Sequence, residues 1–181
     1  MTFSRGRGLY RNRNREETPP VTIATETAIQ VYRIHVKAAP EEIWNALMNR
    51  AEEYGYHSAV EYDLEAGTYR GIANEQMREY GMSEVIIDGE ILEADLPHRL
   101  VQTWNPLFDD DKITAEPPAR LTWELREGPN GVTQLTLTSE TDDAPITAAI
   151  TSGAVEEAGG GWPFVLSDLK TLLETGKSLG G

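Results

Sequence analysis

Three consecutive glycines stand directly before a Trp-Pro pair in EEAGGGWPFVLSDLKTLLETG, residues 156–176. Glycines that open a helix can cradle a phosphate, but a phosphate loop needs Lys-Ser or Lys-Thr behind them, and a dinucleotide fingerprint needs GxGxxG spacing after a strand. Neither pattern is present, so the cluster reads as a flexible joint that lets the following helix fold back. His35, His57 and His98 fall on a strand face, in a Tyr-rich connection and in a turn, with no HExxH spacing; no metal or other cofactor is expected from them. There is no GxSxG elbow and no cysteine, so acyl transfer would depend on an unsupported serine. The run FDDDK at 108–112 lacks the spacing of a calcium loop and reads as a solvated connection. Glu84, Asp88 and Glu90 alternate along one strand face and are expected to meet solvent; a cyclisation or dehydration would need one such carboxyl turned toward a cavity.

Charge narrows the partners. The 181 residues carry a net charge of −14, and residues 1–20 alone contribute +3 through Arg5, Arg7, Arg11, Arg13 and Arg15 against two glutamates. The remaining body is acidic throughout, so the folded part is not expected to bind nucleic acid, whose phosphates need a basic face. The first residues lack the apolar run of a secretory signal, and no window reaches the roughly 18 apolar residues of a membrane span. With no cysteine to oxidise, a cytoplasmic, non-membrane protein is expected. Residues 1–24 read as a disordered Arg-rich arm with little to bury, either a solvated tail or an arm that binds RNA or an acidic partner. Residues 25–181 read as a single domain.

The elements that must position any site follow from periodicity. IQVYRIHVKA alternates with period two, placing Tyr32, Ile34 and Val36 on one strand face. APEEIWNALMNR reads as a short amphipathic helix with Ile43, Trp44, Leu47 and Met48 on its apolar side and Pro40 near its start. Six further strands are expected: AVEYDLEAG, TYRGIAN, SEVIIDGEILEAD, RLVQTWNP, RLTWELREG and VTQLTLTSE, the last two joined by a hairpin turn at Pro129, Asn130 and Gly131. APITAAITSGAVEEA reads as a short helix or a loop. Trp162, Val165, Leu166, Leu169, Leu172 and Leu173 form one apolar stripe on a last helix of about 14 residues, with Gly176 just past its end. Strand, helix, an optional second short helix, six strands and a long C-terminal helix make an α+β arrangement, one curved antiparallel sheet wrapped around that helix.

The segments VYRIHVKAAPEEIWNAL, VIIDGEILEADLPHRLVQTW, RLTWEL, GVTQLTLTSE and GGGWPFVLSDLKTLLETG occur in this order between Thr25 and Gly176. In these segments the chain resembles the SRPBCC superfamily, the START-like or birch-pollen-allergen-like helix-grip proteins. Within it, the likeness is to bacterial homologues of the activator of the ninety-kilodalton heat-shock protein ATPase. Pro97, Arg99, Leu100, Thr103 and Trp104, with the Gly-Trp-Pro before the last helix, carry the likeness most specifically.

The resemblance implies a cavity between the sheet and the long helix. Its expected lining is Tyr62, Tyr69, Trp104, Trp123, Trp162, Val165, Leu166 and Leu169, each of which could equally fill a solid core. Gln102 shares a face with Leu100 and Trp104, and is either buried with a partner, turned to a wet cavity, or exposed on an edge strand. Met77 and Met82, in the connection Asn74–Glu84, suit either an adaptable lid or a satellite cluster at the end of the core. Three functions are compatible with this pattern. The first is non-catalytic binding of a small apolar or aromatic molecule, which the aromatic content favours. The second is a chaperone-ATPase-activator-like interaction, and the third is polyketide cyclase- or dehydratase-like catalysis, for which no acid–base pair is evident. A homodimer is left open.

Overall fold

The computed structural model describes residues 28–108, 111–155 and 158–180. The arm expected over residues 1–24 lies outside them, as do Asp109 and Asp110 of the acidic run. Strand β1 (Ile29–Val36) alternates exposed and covered residues as its period requires. Helix α1 (Pro40–Asn49) begins at a proline, whose missing N–H is no loss in a first turn. The Glu42 carboxylate reaches back to accept the Ala39 N–H at 2.9 Å, and Ile43, Trp44 and Leu47 are buried. After a single 3₁₀ turn (Ala51–Glu53) come the six expected strands. They are β2 (Ala59–Asp63), β3 (Thr68–Ile72), β4 (Val85–Asp95), β5 (Arg99–Pro106), β6 (Ala119–Glu127) and β7 (Thr133–Glu140).

All seven strands pair antiparallel in one sheet of order β1-β7-β6-β5-β4-β3-β2. The meander from β2 to β7 keeps neighbours in sequence adjacent in space, and β1 closes onto β7. Register sets the inner face: Tyr32, Leu137, Trp123 and Leu100 stand in one row across four strands. Register shifts in β3–β4 and β4–β5 interrupt the pairing on the other half of the sheet, and such irregularities bend a sheet and increase its twist. The result is a curved open sheet. Helix α5 (Gly161–Thr175) packs against this sheet, its Leu166, Leu169 and Leu172 sharing one buried cluster with Leu100, Leu121, Leu135, Leu137 and Ile43. Its far end is tied to β1, where Lys170 Nζ donates to the His35 carbonyl at 2.7 Å and Glu174 accepts the Lys37 N–H at 2.8 Å. The expected α+β helix-grip arrangement is therefore the one found.

Three connections hold more structure than their sequence suggests. Helix α2 (Glu75–Glu79) occupies the Asn74–Glu84 segment, with the Asn74 side chain accepting the Met77 N–H at 2.9 Å as an N-cap. Helix α3 (Asp111–Thr114) follows β5. The Ala- and Thr-rich segment is helical as α4 (Pro145–Ser152), and both oxygens of Glu116 accept N–H groups from its first turn, Ile146 and Thr147, at 2.8 Å each. The glycine joint is a packed corner and not a loose hinge. Gly159, Gly160 and Gly161 have φ of 76°, 96° and 60°, and a Cβ on Gly161 would collide with the Thr151 carbonyl and lie 2.6 Å from the Gly153 nitrogen. Glycine is needed there so that the start of α5 can touch the end of α4. No helix among the described residues is long and apolar enough to cross a membrane.

Candidate functional site

Between the sheet and the first half of α5 the side chains leave a cavity of about 550 Å³, well within the range that takes a drug-sized molecule. Its floor is the inner face of β5 and β6, with Gln102, Trp104 and Trp123. Tyr62 and Tyr69 on β2 and β3 form one wall, their rings stacked at 5.3 Å. Trp162 and Val165 of α5 cover it, and Trp162 meets Trp104 and Trp123 edge-on at 6.0 and 5.8 Å. Met77 of α2 and Met82 just beyond it stand at the rim. Leu166 and Leu169 do not belong to this lining. They are 1% and 0% exposed within the solid core, because the cavity occupies only the N-terminal end of α5 and the rest of the same stripe closes directly on the sheet.

Several lining residues escape sequence reasoning. Tyr54, Gly55 and Tyr56 come from the turn after α1, Ile86 and Ile87 from the start of β4, and Ile150 with Thr151 from α4. The repeated aromatics of the YGYH stretch are the available signal; nothing in the spacing says which way they point. Tyr56 fastens the mouth. Its hydroxyl donates to the Ala158 carbonyl at 3.1 Å and accepts the Gly161 N–H at 3.0 Å, while its own carbonyl accepts from Asn74 Nδ2 at 2.9 Å. One residue thus ties the α4–α5 corner to the cap of α2. Behind the cavity, the buried Asp168 of α5 accepts the Gly55 N–H and the Ser178 hydroxyl at 2.8 and 2.9 Å, and the Leu179 N–H at 2.5 Å. A buried carboxylate is stable only with such donors.

The polar centre of the cavity is Gln102, 3% exposed on a central strand, which removes the edge-strand alternative. Tyr69 lies across β4 at Gly89, where a side chain would strike both the Tyr69 ring and the Thr103 carbonyl. Between the pairs Asp88–Asn105 and Ile91–Gln102 the strand ladder is completed by side chains. The Glu90 N–H donates to Thr103 Oγ1 at 2.8 Å, and the Thr103 carbonyl accepts the Tyr69 hydroxyl at 2.7 Å.

Burial pushes the phenol pKa of Tyr62 up to about 12 and that of Tyr69 well above its ordinary value, in both cases offset in part by a hydrogen bond from the Gln102 side chain. Burial raises Tyr54 as well, reinforced by Tyr62 and Asp168. The phenols therefore stay protonated near neutrality, and none is a base. Among the described residues no Asp, Glu, His, Lys or Arg lines the cavity, and no cluster of three His, Cys, Asp or Glu could hold a metal. His35, His57 and His98 are exposed, as are Glu84, Asp88 and Glu90.

Residues 37–174 match the family described as activator of Hsp90 ATPase homolog 1-like protein. The chain belongs to that family. The solved structure of protein MLL2253 from Mesorhizobium loti is 21% identical, covers 81% of this chain and 97% of its own, and superimposes with a TM-score of 0.59. CalU16 from Micromonospora echinospora is 21% identical over 84% of this chain and 88% of its own, with a TM-score of 0.54. SSP2350 from Staphylococcus saprophyticus is 18% identical over 84% and 96%, with a TM-score of 0.57. At these identities the likeness establishes the shared helix-grip scaffold. No curated protein matches the chain.

Proposed function

We propose that this activator-family domain is a non-catalytic binder of a small apolar or aromatic molecule held between the sheet and α5. The observation that carries this reading is the cavity of about 550 Å³ whose described walls are aromatic and aliphatic and bear no ionisable group other than tyrosine. Three indoles and two stacked phenols offer flat, polarisable surface with few polar tips, the chemistry that orients an aromatic guest. Met77 and Met82 at the rim, on and beside a helix of only five residues, suit an adaptable lid. A cyclase or dehydratase needs a group that exchanges a proton near neutral pH. The described lining supplies none, which speaks against catalysis. Family membership favours a second reading, docking to a chaperone ATPase, which needs no cavity.

The two readings separate by titration with a neutral solvatochromic naphthalene dye, at a temperature where all variants are folded. The parent should bind with a blue-shifted emission. Trp162→Ala, which strips the cover, should weaken binding by roughly tenfold. A parent that binds neither this dye nor any of a broad panel of apolar and aromatic compounds would overturn the binder. Stimulation of a chaperone's ATP hydrolysis would then be the activity to measure.

A further inference from the structure

We propose that the cavity selects an uncharged molecule with an apolar body and a hydrogen-bond acceptor, such as a ketone oxygen, which takes the phenol protons of Tyr54 and Tyr62. This rests on the cavity being a binding site and names the class of its occupant.

Most polar groups around the cavity are already used within the protein. A phenol has one proton: the Tyr69 hydroxyl gives its own to the Thr103 carbonyl at 2.7 Å, and Tyr56 gives its own to the Ala158 carbonyl at 3.1 Å. The Thr151 hydroxyl donates back along α4 to the Thr147 carbonyl at 2.8 Å, and Ser58 turns its hydroxyl to the Met77 sulfur at 3.3 Å. Gln102 Oε1 and the indole nitrogens of Trp123 and Trp162 have no partner, but packing encloses them completely, so no guest reaches them. Tyr54 and Tyr62 fit neither description. Both line the cavity, no described residue accepts either phenol proton, and neither oxygen is shut in as Gln102 Oε1 is. Tyr54 is only 6% exposed, so the surface its hydroxyl keeps is surface toward the cavity. Trp104 Nε1 is not enclosed either and is likewise a donor; it adds to the same demand.

A hydroxyl proton in an apolar cavity is costly unless something accepts it. In the free protein water can do so. An apolar guest that displaces water and brings no acceptor strands the proton; a guest with a well-placed oxygen replaces the lost bond. A carbonyl oxygen has two lone pairs and can take one such proton or both. The protons are there to give, since burial raises both phenols above their ordinary range and neither ionises near neutral pH. Neutrality of the guest follows from the walls. An ion would shed its hydration into a lining whose described residues offer no counter-charge, and the Asp168 carboxylate behind the cavity opposes an anion in particular.

The test uses the full chain and three probes of one shape: acetonaphthone, isopropenylnaphthalene, in which a methylene replaces the carbonyl oxygen, and naphthoate. Each is titrated calorimetrically near neutral pH, and the carbonyl stretch of bound acetonaphthone is read by infrared spectroscopy. Acetonaphthone should bind roughly five- to tenfold more tightly than the alkene, and more tightly than naphthoate, with its stretch below the position it takes in hexane. The double variant Tyr54→Phe, Tyr62→Phe keeps both rings and removes only the two hydroxyls. In it the preference should fall to within about twofold, the alkene should bind at least as well as to the parent, and the stretch should move back toward its hexane position. The two parent measurements decide the matter even where the variant fails to fold. Equal affinities or an unshifted carbonyl in the parent, a preference that survives in the double variant, or tighter binding of naphthoate would overturn the acceptor rule while leaving the cavity a binding site. Binding of none of the three would overturn both.

Discussion

Whether the Tyr69 ring can cross β4 is decided at Gly89, in the middle of a strand where glycine is otherwise a poor choice. In the sequence Gly89 is simply a glycine inside a run of strand-forming residues. The sequence cannot show that the missing side chain makes room for the Tyr69 phenol of β3 to reach Thr103 on β5, because that depends on the register of β3, β4 and β5 together. Gln102 is similarly legible as an anomaly: a polar residue on an apolar face. The sheet order, which makes β5 central, is what removes its edge-strand reading. Gly89→Ala should force Tyr69 off the Thr103 carbonyl, at a cost of about 1–3 kcal/mol for an overpacked site. Denaturant unfolding measures that cost. An unchanged midpoint would show that the Tyr69 ring and the Thr103 carbonyl make room for the methyl at no cost.

At the scale of elements, the apolar stripe of α5 is evident from sequence, but its division between cavity and core is not. Periodicity tells which side of a helix is apolar, and says nothing of where along its length the opposing sheet approaches or recedes. Trp162 and Val165 consequently face the cavity, while Leu166 and Leu169, on the same stripe, are sealed in the core. Asp168 carries no signal in the sequence because its partners, Gly55, Ser178 and Leu179, are distant or unpatterned. The glycine corner carries a direct test. Gly161→Ala meets the Thr151 carbonyl and the Gly153 nitrogen and must also hold a φ of 60°, so the left-handed backbone and the collision add to about 2–5 kcal/mol. Gly176, with a φ of 75° and nothing within 4 Å of the place a Cβ would take, is the control. Gly176→Ala should cost only the backbone part, about 1–2 kcal/mol. Equal losses in thermal unfolding would mean that the corner is the loose joint its sequence suggests, and not a packed contact between α4 and α5.

For the molecule as a whole, the alternating segments and their order are enough to indicate one antiparallel sheet packed on a long helix, since each strand of the meander carries its own period and turn signals; the helix-grip scaffold is what the family resemblance adds. The cavity is different in kind. It is a place where packing is incomplete, and incomplete packing leaves no pattern in a single element. Its tyrosines do leave a thermodynamic mark on the whole fold. Tyr54, Tyr62 and Tyr69 are all raised by burial, Tyr62 to about 12, whereas in an unfolded chain a phenol ionises near pH 10. Below about pH 10 both states keep these protons and pH has no leverage on stability through them. Above it the unfolded chain releases protons that the native state retains, so stability falls as pH rises, and for Tyr62 the loss ends once the pH passes its folded value of about 12. Each such group can steepen the decline by at most about 1.4 kcal/mol per pH unit. Urea unfolding across this alkaline window should therefore show a falling midpoint, with a shallower fall in Tyr62→Phe. Tyrosinate absorbance from the cavity phenols should appear together with the loss of native circular dichroism. If all the phenols instead titrate near pH 10 while the native signal persists, the cavity wall is open to bulk water and cannot hold an apolar guest away from it.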